Sequence, residues 1–283
     1  IPFQNGMRTV NSEFLFTGEF YSVPAFAPHT WELGEVDSKE WFADNPYAEW
    51  YYNSLNIGKG PTYEHHMEKY GKDFKYEDFI PMWKAENWDP KQWAEIFKEA
   101  GAEYVVLTTK HHDGFCLFPS KYTHFNSVEM GPKRNITGEL TEAVRDAGIR
   151  MGLYYSGLID WQYANDPIFE DDDLFGTASP TFAYADYSYN QMKELVDDYA
   201  PSVFWNDIGW PTQSEEMMPY FLAHYYNKSA GRCSKTTVSM TVTMTSLPRS
   251  TKSGSVNRKR EMGKCAVEWD YPSVIMPMKV MTN

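Results

Sequence analysis

Asp207 is the acidic residue whose sequence surroundings best suit chemistry. It lies in the string VFWNDIGW, directly after a strand-like run and between Trp205 and Trp210. A carboxylate in this position either caps the following helix or is a reactive group held between aromatic walls. A carboxylate nucleophile between aromatic walls suits covalent catalysis at the anomeric carbon of a sugar. We therefore take Asp207 as the candidate catalytic residue.

A second polar cluster, His111, His112 and Asp113, follows the strand-like run EYVVLTTK. Neighbouring residues of an extended segment point to opposite sides, so both histidines line one wall only if the strand ends before them. Three interpretations stay open: structural histidines, ligands of sugar hydroxyls, or metal ligands of a metal-dependent barrel hydrolase. No HxH or HExxH spacing accompanies the pair, which weighs against the metal interpretation, and we expect no cofactor.

Three further residues are weaker candidates. Glu49 and Trp50, in NPYAEWYYNS, combine an acid with an aromatic stacking surface, and Tyr154 ends a strand-like run. An exposed loop would explain the first two equally well, and a tyrosine at a strand end more often belongs to the core.

The elements that must position these residues alternate helix and strand signals from about residue 88 to 228. Asp89 before Pro90 predicts a helix start. The polar strings KHHDGF, SGLIDW and NDIGW each come just after a strand, as in a (β/α)8 barrel, whose active site is built where the strands end. A doubly wound sheet is the alternative, although no glycine-rich phosphate loop follows any strand. We predict an α/β fold with a TIM-like (β/α)8 barrel.

Composition narrows the function classes. The net charge of −13 over 283 residues argues against a nucleic-acid partner. Cys116, Cys233 and Cys265 are widely spaced and suggest neither a disulfide framework nor a zinc site. No apolar run approaches the roughly 18 residues that span a membrane, and the first residues lack a signal-peptide core. We expect a cytoplasmic protein, with an upstream segment missing because the sequence lacks an initiating Met.

Taken together, the strings resemble glycoside hydrolase family 29, the α-L-fucosidases. The matching strings, from Tyr21 to about Lys228, are YSVPAF, WFADNPYAEWYYNS, AGAEYVVLTTKHHDGFCLFPS, GPKRNITGEL, LYYSG and VFWNDIGWP. The resemblance implies a TIM-like barrel, a following β-sandwich that is absent from this sequence, and a retaining mechanism without metal. It implies fucosylated oligosaccharides or glycoconjugates as substrates and Asp207 as the nucleophile. The implied sugar contacts are Glu49, Trp50, His111, His112, Tyr154 and Trp205.

The two ends depart from this pattern. Family members carry FGIFIHWG before YSVPA, whereas this sequence has SEFLFTGEF, with Thr17 in the place of a sugar-binding histidine. The segment 228–264 carries nine Lys and Arg residues and a single acid, Glu261. The family's acid/base glutamate has no counterpart here, and we assign that role to neither Glu261 nor Glu268.

The genetic code offers an explanation for both ends. We shifted the reading frame by one base, so that each new codon takes the last base of the preceding codon and the first two bases of its own. In this frame the codons can encode family-like strings at both ends. At some positions only one shifted codon is possible. Thr241 and Thr245 each follow a Met, so each must be reread as Asp, which agrees with the family string. We therefore predict an out-of-frame segment at 1–20, an incomplete catalytic barrel at 21–228 and a poorly ordered, out-of-frame tail at 229–283.

Two function hypotheses follow from the resemblance. The first is an exo-glycosidase that releases terminal L-fucose through a covalent intermediate on Asp207. The second is an inactive or fucose-binding remnant with an incomplete site. Binding of ligand without turnover would favour the remnant.

Overall fold

The structure is a computed structural model of the chain. It describes a central body and several short segments around it: residues 7–10, 41–44, 50–164, 166–170, 173, 181–207, 209–211, 216–230, 239–242, 254–256, 260–261 and 264–265. Most residues of the two segments predicted to be out of frame lie outside these ranges, and their reading frame stays a prediction.

The described strands form one six-stranded sheet whose order follows the chain. The first five strands are parallel and the sixth is antiparallel. They are β1 (Met7–Val10), β2 (Tyr104–Lys110), β3 (Arg150–Ser156), β4 (Val203–Asp207), β5 (Ser239–Val242) and β6 (Gly254–Val256). A short antiparallel pair, β7 (Arg260–Glu261) and β8 (Lys264–Cys265), follows. The strand order never reverses among the described strands, whereas a doubly wound sheet has a reversal point.

Helices fill the connections between the central strands. They are α1 (Trp41–Asp44), α2 (Tyr51–Ile57), α3 (Pro61–Lys69), α4 (Pro90–Glu99), α5 (Ile136–Asp146), α6 (Phe182–Tyr199) and α7 (Met218–Ala230), with a 3₁₀ helix at Tyr76–Met82. The predicted start of α4 is confirmed, because the Asp89 side chain accepts hydrogen bonds from the backbone N–H groups of Lys91 and Gln92. None of the helices within the described residues is long and apolar enough to cross a bilayer.

The two faces of the sheet differ in chemistry. On β4, Phe204 is fully buried and its ring centroid lies 5.2 Å from that of Phe221 on α7. Because side chains alternate along a strand, Trp205 and Asp207 share the opposite face. That face is only half-buried at both residues. The sheet therefore presents an apolar layer to its helices and a polar, aromatic layer at its carboxyl edge.

Candidate active site

The site forms where β3 and β4 end side by side. The parallel register places Tyr154 opposite Trp205 and Ser156 opposite Asp207. The Tyr154 hydroxyl donates a hydrogen bond to Asp207 Oδ2 over 2.7 Å. This bond holds one carboxylate oxygen in place, and Asp207 Oδ1 has no hydrogen-bond partner within the described part of the chain.

His111 lies against the same tyrosine. The rings of His111 and Tyr154 stack with centroids 5.6 Å apart and planes 4° apart. Burial, and to a smaller extent the positive charge of Lys110, lowers the pKa of His111 to about 3. His111 is therefore a neutral imidazole near neutral pH.

His112 forms the neighbouring wall. Its ring centroid lies 3.8 Å from that of His111, 5.1 Å from that of Trp50 and 5.8 Å from that of Trp161. Burial, with the nearby His111 and Lys110, holds the pKa of His112 well below its usual value. Because β2 ends at Lys110, the strand alternation stops before the pair, and both histidines line one continuous wall.

Three buried nitrogen atoms of this wall have no hydrogen-bond partner among the residues that the structure describes: His111 Nδ1, Trp161 Nε1 and Trp205 Nε1. Trp205 packs edge-on to Tyr154, with ring centroids 5.5 Å apart. Buried polar atoms without partners are costly and infrequent in proteins.

Asp113 is bound by neutral donors in the interior. Its Oδ2 accepts from the Tyr76 hydroxyl at 2.9 Å and its Oδ1 from the backbone N–H of Phe115 at 3.1 Å. Burial raises the pKa of Asp113 to about 6, although both hydrogen bonds lower it. Within the described residues, no group of three or more His, Cys, Asp or Glu side chains could hold a metal ion. The arrangement of His111, His112 and Asp113 gives no support to the metal-ligand interpretation.

A buried ion pair lies behind the two histidines. Lys110 Nζ is 3.0 Å from Asp160 Oδ2, and both side chains are fully buried. Lys110 also donates to the Ser156 carbonyl at 3.1 Å, which joins the end of β2 to the end of β3. Gly114 leaves room for the pair, because a Cβ atom there would lie 2.5 Å from Asp160 Oδ1 and its φ is +79°.

Comparison with known proteins identifies the family. Residues 19–272 match the family model described as Alpha-L-fucosidase, which is most of the chain. The chain belongs to the alpha-L-fucosidase family. The match continues past residue 228, where we placed the end of the barrel segment from the sequence, and that boundary stays a prediction.

Curated and structural relatives of this alpha-L-fucosidase family member include a fucosidase of each kind and a fucosynthase. Plasma alpha-L-fucosidase of Homo sapiens is 38% identical over 77% of this chain and 42% of its own length. The Thermotoga maritima alpha-fucosidase solved in complex with fucose is 52% identical, with a TM-score of 0.68 over 75% of this chain and 48% of that one. A Thermotoga maritima alpha-L-fucosynthase in complex with a fucosyl disaccharide gives 52% identity and a TM-score of 0.70 over the same shares. The chain thus spans less than half the length of these three relatives.

The structure brings together most of the residues that we expected at the fucosidase site. The described residues of this set are Trp50, His111, His112, Tyr154, Trp205 and Asp207. Glu49 lies outside the described residues. Trp210, which flanks Asp207 in the sequence, packs against Phe221 with ring centroids 5.4 Å apart. In the described structure Asp207 is instead bound by Tyr154, whose ring packs against Trp205 and His111.

Sequence reasoning missed four residues around the wall: Lys110, Ser156, Asp160 and Trp161. The string SGLIDW marked the segment after β3 as polar, but nothing in it distinguished the buried Asp160 from a surface acid. Lys110 ends a strand, where a lysine is usually exposed. Only the fold shows that these two side chains, 50 positions apart in sequence, meet at 3.0 Å.

Proposed function

We propose that this chain carries the nucleophile and sugar-binding wall of a retaining α-L-fucosidase that acts on fucosylated oligosaccharides or glycoconjugates. The observation that carries the proposal is the Tyr154 hydroxyl bound to Asp207 Oδ2 at 2.7 Å, at the carboxyl edge of parallel strands. One oxygen of Asp207 is fixed and the other has no partner within the described residues. A carboxylate held in this way is suited to attack on an anomeric carbon.

In this mechanism Asp207 Oδ1 attacks the anomeric carbon of the fucosyl group, and the bond to the leaving oxygen breaks as a covalent glycosyl-enzyme forms. A second carboxylate protonates the leaving oxygen and then activates the water that releases fucose with retention. That second residue has no assignment in this chain.

The two histidines suit the proposed transition state because of their charge. The transition state of glycoside cleavage resembles an oxocarbenium ion and carries positive charge at the anomeric centre. Burial lowers the pKa of His111 and His112, so both are neutral at the pH of most enzyme assays. They can bind hydroxyl groups without repelling the positive charge that develops next to Asp207.

We also propose that the full-length protein closes its strands into the TIM-like barrel expected from the sequence. The parallel pairing of β1 to β5 in chain order supports this proposal. The similarity to Thermotoga maritima alpha-fucosidase over 75% of the chain supports it as well.

Replacement of the nucleophile and chemical rescue test the proposed mechanism. In the chain with both ends restored to the family frame, Asp207→Gly should nearly abolish hydrolysis of an aryl α-L-fucoside. Added azide should restore turnover in part, because it attacks from the side that the carboxylate has left. The expected product is the β-L-fucosyl azide, which NMR identifies.

A matched glycine substitution at Asp166, an exposed residue in the connection between β3 and α6, serves as the control. It should leave hydrolysis unchanged and show no response to azide. Turnover of Asp207→Gly at the unsubstituted rate would refute the nucleophile assignment. Tight fucose binding without turnover by the restored chain would indicate a binding protein instead.

A further inference from the structure

Ser156 has two hydrogen-bond contacts, one with His112 and one with the Ile159 carbonyl, and together they bear on the tautomer of His112. Ser156 Oγ lies 3.0 Å from the carbonyl oxygen of Ile159 and 2.7 Å from His112 Nδ1. Ser156, Ile159 and His112 are buried, so water cannot easily substitute for either bond. A serine hydroxyl has one proton to donate and can accept through its lone pairs.

Only one proton arrangement satisfies both contacts. A carbonyl oxygen cannot donate, so the Ser156 proton must point to Ile159. The contact between Ser156 Oγ and His112 Nδ1 is then a hydrogen bond only if Nδ1 is protonated and donates. The opposite arrangement would place the lone pairs of Ser156 and Ile159 against each other at 3.0 Å and leave a buried carbonyl without this bond.

We propose that Ser156 is a positioning residue that holds His112 as the Nδ1–H tautomer, so that Nε2 is a hydrogen-bond acceptor in the sugar site. A neutral imidazole with its proton on Nδ1 has a bare lone pair on Nε2. His112 therefore recognises a sugar hydroxyl that donates. The neighbouring Trp161, whose ring centroid lies 5.8 Å from that of His112, carries only an N–H donor and cannot supply such an acceptor.

Hydrogen bonds hold the segment 156–161 at both of its ends. The backbone N–H of Trp161 donates to the His112 carbonyl at 2.7 Å. Lys110 donates to the Ser156 carbonyl at 3.1 Å and is paired with Asp160. The Ile159 carbonyl thus belongs to a segment tied at both ends, and it stays available as the acceptor for Ser156.

The tautomer can be measured directly and without activity. In the full chain labelled with ¹⁵N-histidine, the ring nitrogens of His112 are assigned by their loss in His112→Asn. We expect the ¹⁵N shift of Nδ1 to be that of a protonated nitrogen and the shift of Nε2 that of an unprotonated one. The reverse pattern in the unsubstituted protein would overturn the proposal, whether or not the protein cleaves fucosides.

Two serine variants separate positioning from simple packing. Ser156→Ala should shift both His112 signals towards the average of two exchanging tautomers. Ser188→Ala is the matched control: Ser188 is equally buried and donates to the Ala185 carbonyl within α6. It should leave the His112 signals unchanged. A pure Nδ1–H pattern in Ser156→Ala would show that another group fixes the ring and would refute the role of Ser156.

Fluorinated sugars test the consequence for recognition, which rests on the proposed fucose site. Fluorine can accept weakly but cannot donate. At the hydroxyl that meets His112, the deoxy and deoxyfluoro analogues of L-fucose should therefore lose affinity equally, by about 3- to 10-fold. If fluorine retained the affinity at every position, Nε2 could not be an acceptor for the sugar. Absence of any fucose binding would refute the proposed function. The tautomer of His112 in the free protein would still be decided by its ¹⁵N shifts.

Discussion

Two aspartates at neighbouring strand ends have opposite surroundings. Asp160, four residues after β3, is fully buried, lies 3.0 Å from Lys110 and accepts from the backbone N–H of Gln162 at 2.9 Å. Asp207, the last residue of β4, is half-buried and has one tyrosine hydroxyl on one oxygen. Desolvation raises the pKa of Asp160 even though Lys110 opposes the shift.

The two carboxylates therefore differ in how their oxygens are satisfied: those of Asp160 have partners inside the protein, whereas one oxygen of Asp207 has none among the described residues. The charge of Asp160 is balanced inside the protein, and its loss would leave Lys110 buried without a counterion. Asp207 keeps an oxygen with no partner among the described residues. Two acids of the same type thus differ in their partners, which supports the proposal that Asp160 stabilises the fold and Asp207 carries the chemistry.

Restoration of the predicted family reading frame should have the largest effect, because Asp207, as the proposed nucleophile, needs a second carboxylate and Asp160 does not. General acid–base assistance typically contributes about 10²–10⁴-fold. We expect this chain to hydrolyse an aryl fucoside at least that much more slowly than a version with both ends in the family frame and its downstream sequence added. Steady-state kinetics and solubility of the two proteins measure the difference. Equal kcat values would show that the tail already supplies a proton donor.

Lys110→Met should be the most destabilising single change at this edge of the sheet. Removal of one partner of a buried ion pair typically costs about 3–5 kcal/mol, because the other charge stays buried alone. Urea unfolding of the variant measures the loss. Adding Asp160→Asn should recover part of it, since the amide can still accept from Gln162.

Arg150→Met is the control for this comparison, at the more exposed ion pair between Arg150 and Glu103. Exposed pairs contribute about 0.2–1 kcal/mol. If Lys110→Met lowered the free energy of unfolding no more than Arg150→Met does, the buried pair would stabilise the fold no more than an exposed one. The contrast between Asp160 and Asp207 would then have no energetic support.

Asp113 is a third carboxylate for this comparison. It is buried like Asp160, but its hydrogen-bond donors are neutral. Its pKa is raised from 3.8 to about 6, so the folded protein binds more protons than the unfolded chain between these pH values. Its contribution to the free energy of unfolding should therefore fall as pH rises from about 4 to 6, by up to about 3 kcal/mol. The coulombic effects of Asp160 and Lys110 on this carboxyl act in opposite directions.

The measurement is the difference in unfolding free energy between the parent protein and Asp113→Asn at each pH. A difference is needed because His111 and His112, whose pKa values are lowered, make stability rise with pH over the same range. The free energy of unfolding of the asparagine variant should increase relative to that of the parent as pH rises to about 6, and the difference should stay constant above that pH. A constant difference from pH 4 to 7 would contradict the raised pKa of Asp113.

Tyr154→Phe should have the smallest effect of the four and should act on activity. A hydrogen bond to a charged group contributes about 1.5–3 kcal/mol, so kcat/KM of the frame-restored enzyme should fall by roughly 10- to 100-fold. Tyr155→Phe is the matched control on the opposite face, where the hydroxyl donates to Gln191 Oε1 at 2.7 Å. It should lower stability and leave kcat/KM of the folded enzyme unchanged. The reverse pattern would assign Tyr154 to the core.

Local patterns were sufficient to predict the elements that carry the site. The apolar runs before Lys110 and Ser156 predicted β2 and β3, and Asp89 before Pro90 predicted the start of α4, because each signal depends on neighbouring residues. The site residues on these strand ends were predicted partly from motif resemblance. The Lys110–Asp160 pair could not be predicted, since burial of a lysine depends on a partner brought close only by strand pairing. The role of Ser156 depends likewise on a carbonyl three residues away whose direction no sequence pattern specifies.

Pairing of each strand with the strand before it also bears on how the chain is made. Every new strand finds its neighbour already synthesised, so the sheet can grow by addition at one edge while the ribosome is still translating. From Tyr104 to Asp207 the ribosome needs about 5–20 s at typical speeds. During that time the free edge of the newest strand is open to other chains. Until β5 and β6 have been made and have joined the sheet, β4 therefore presents an unpaired edge to chaperones and to other chains.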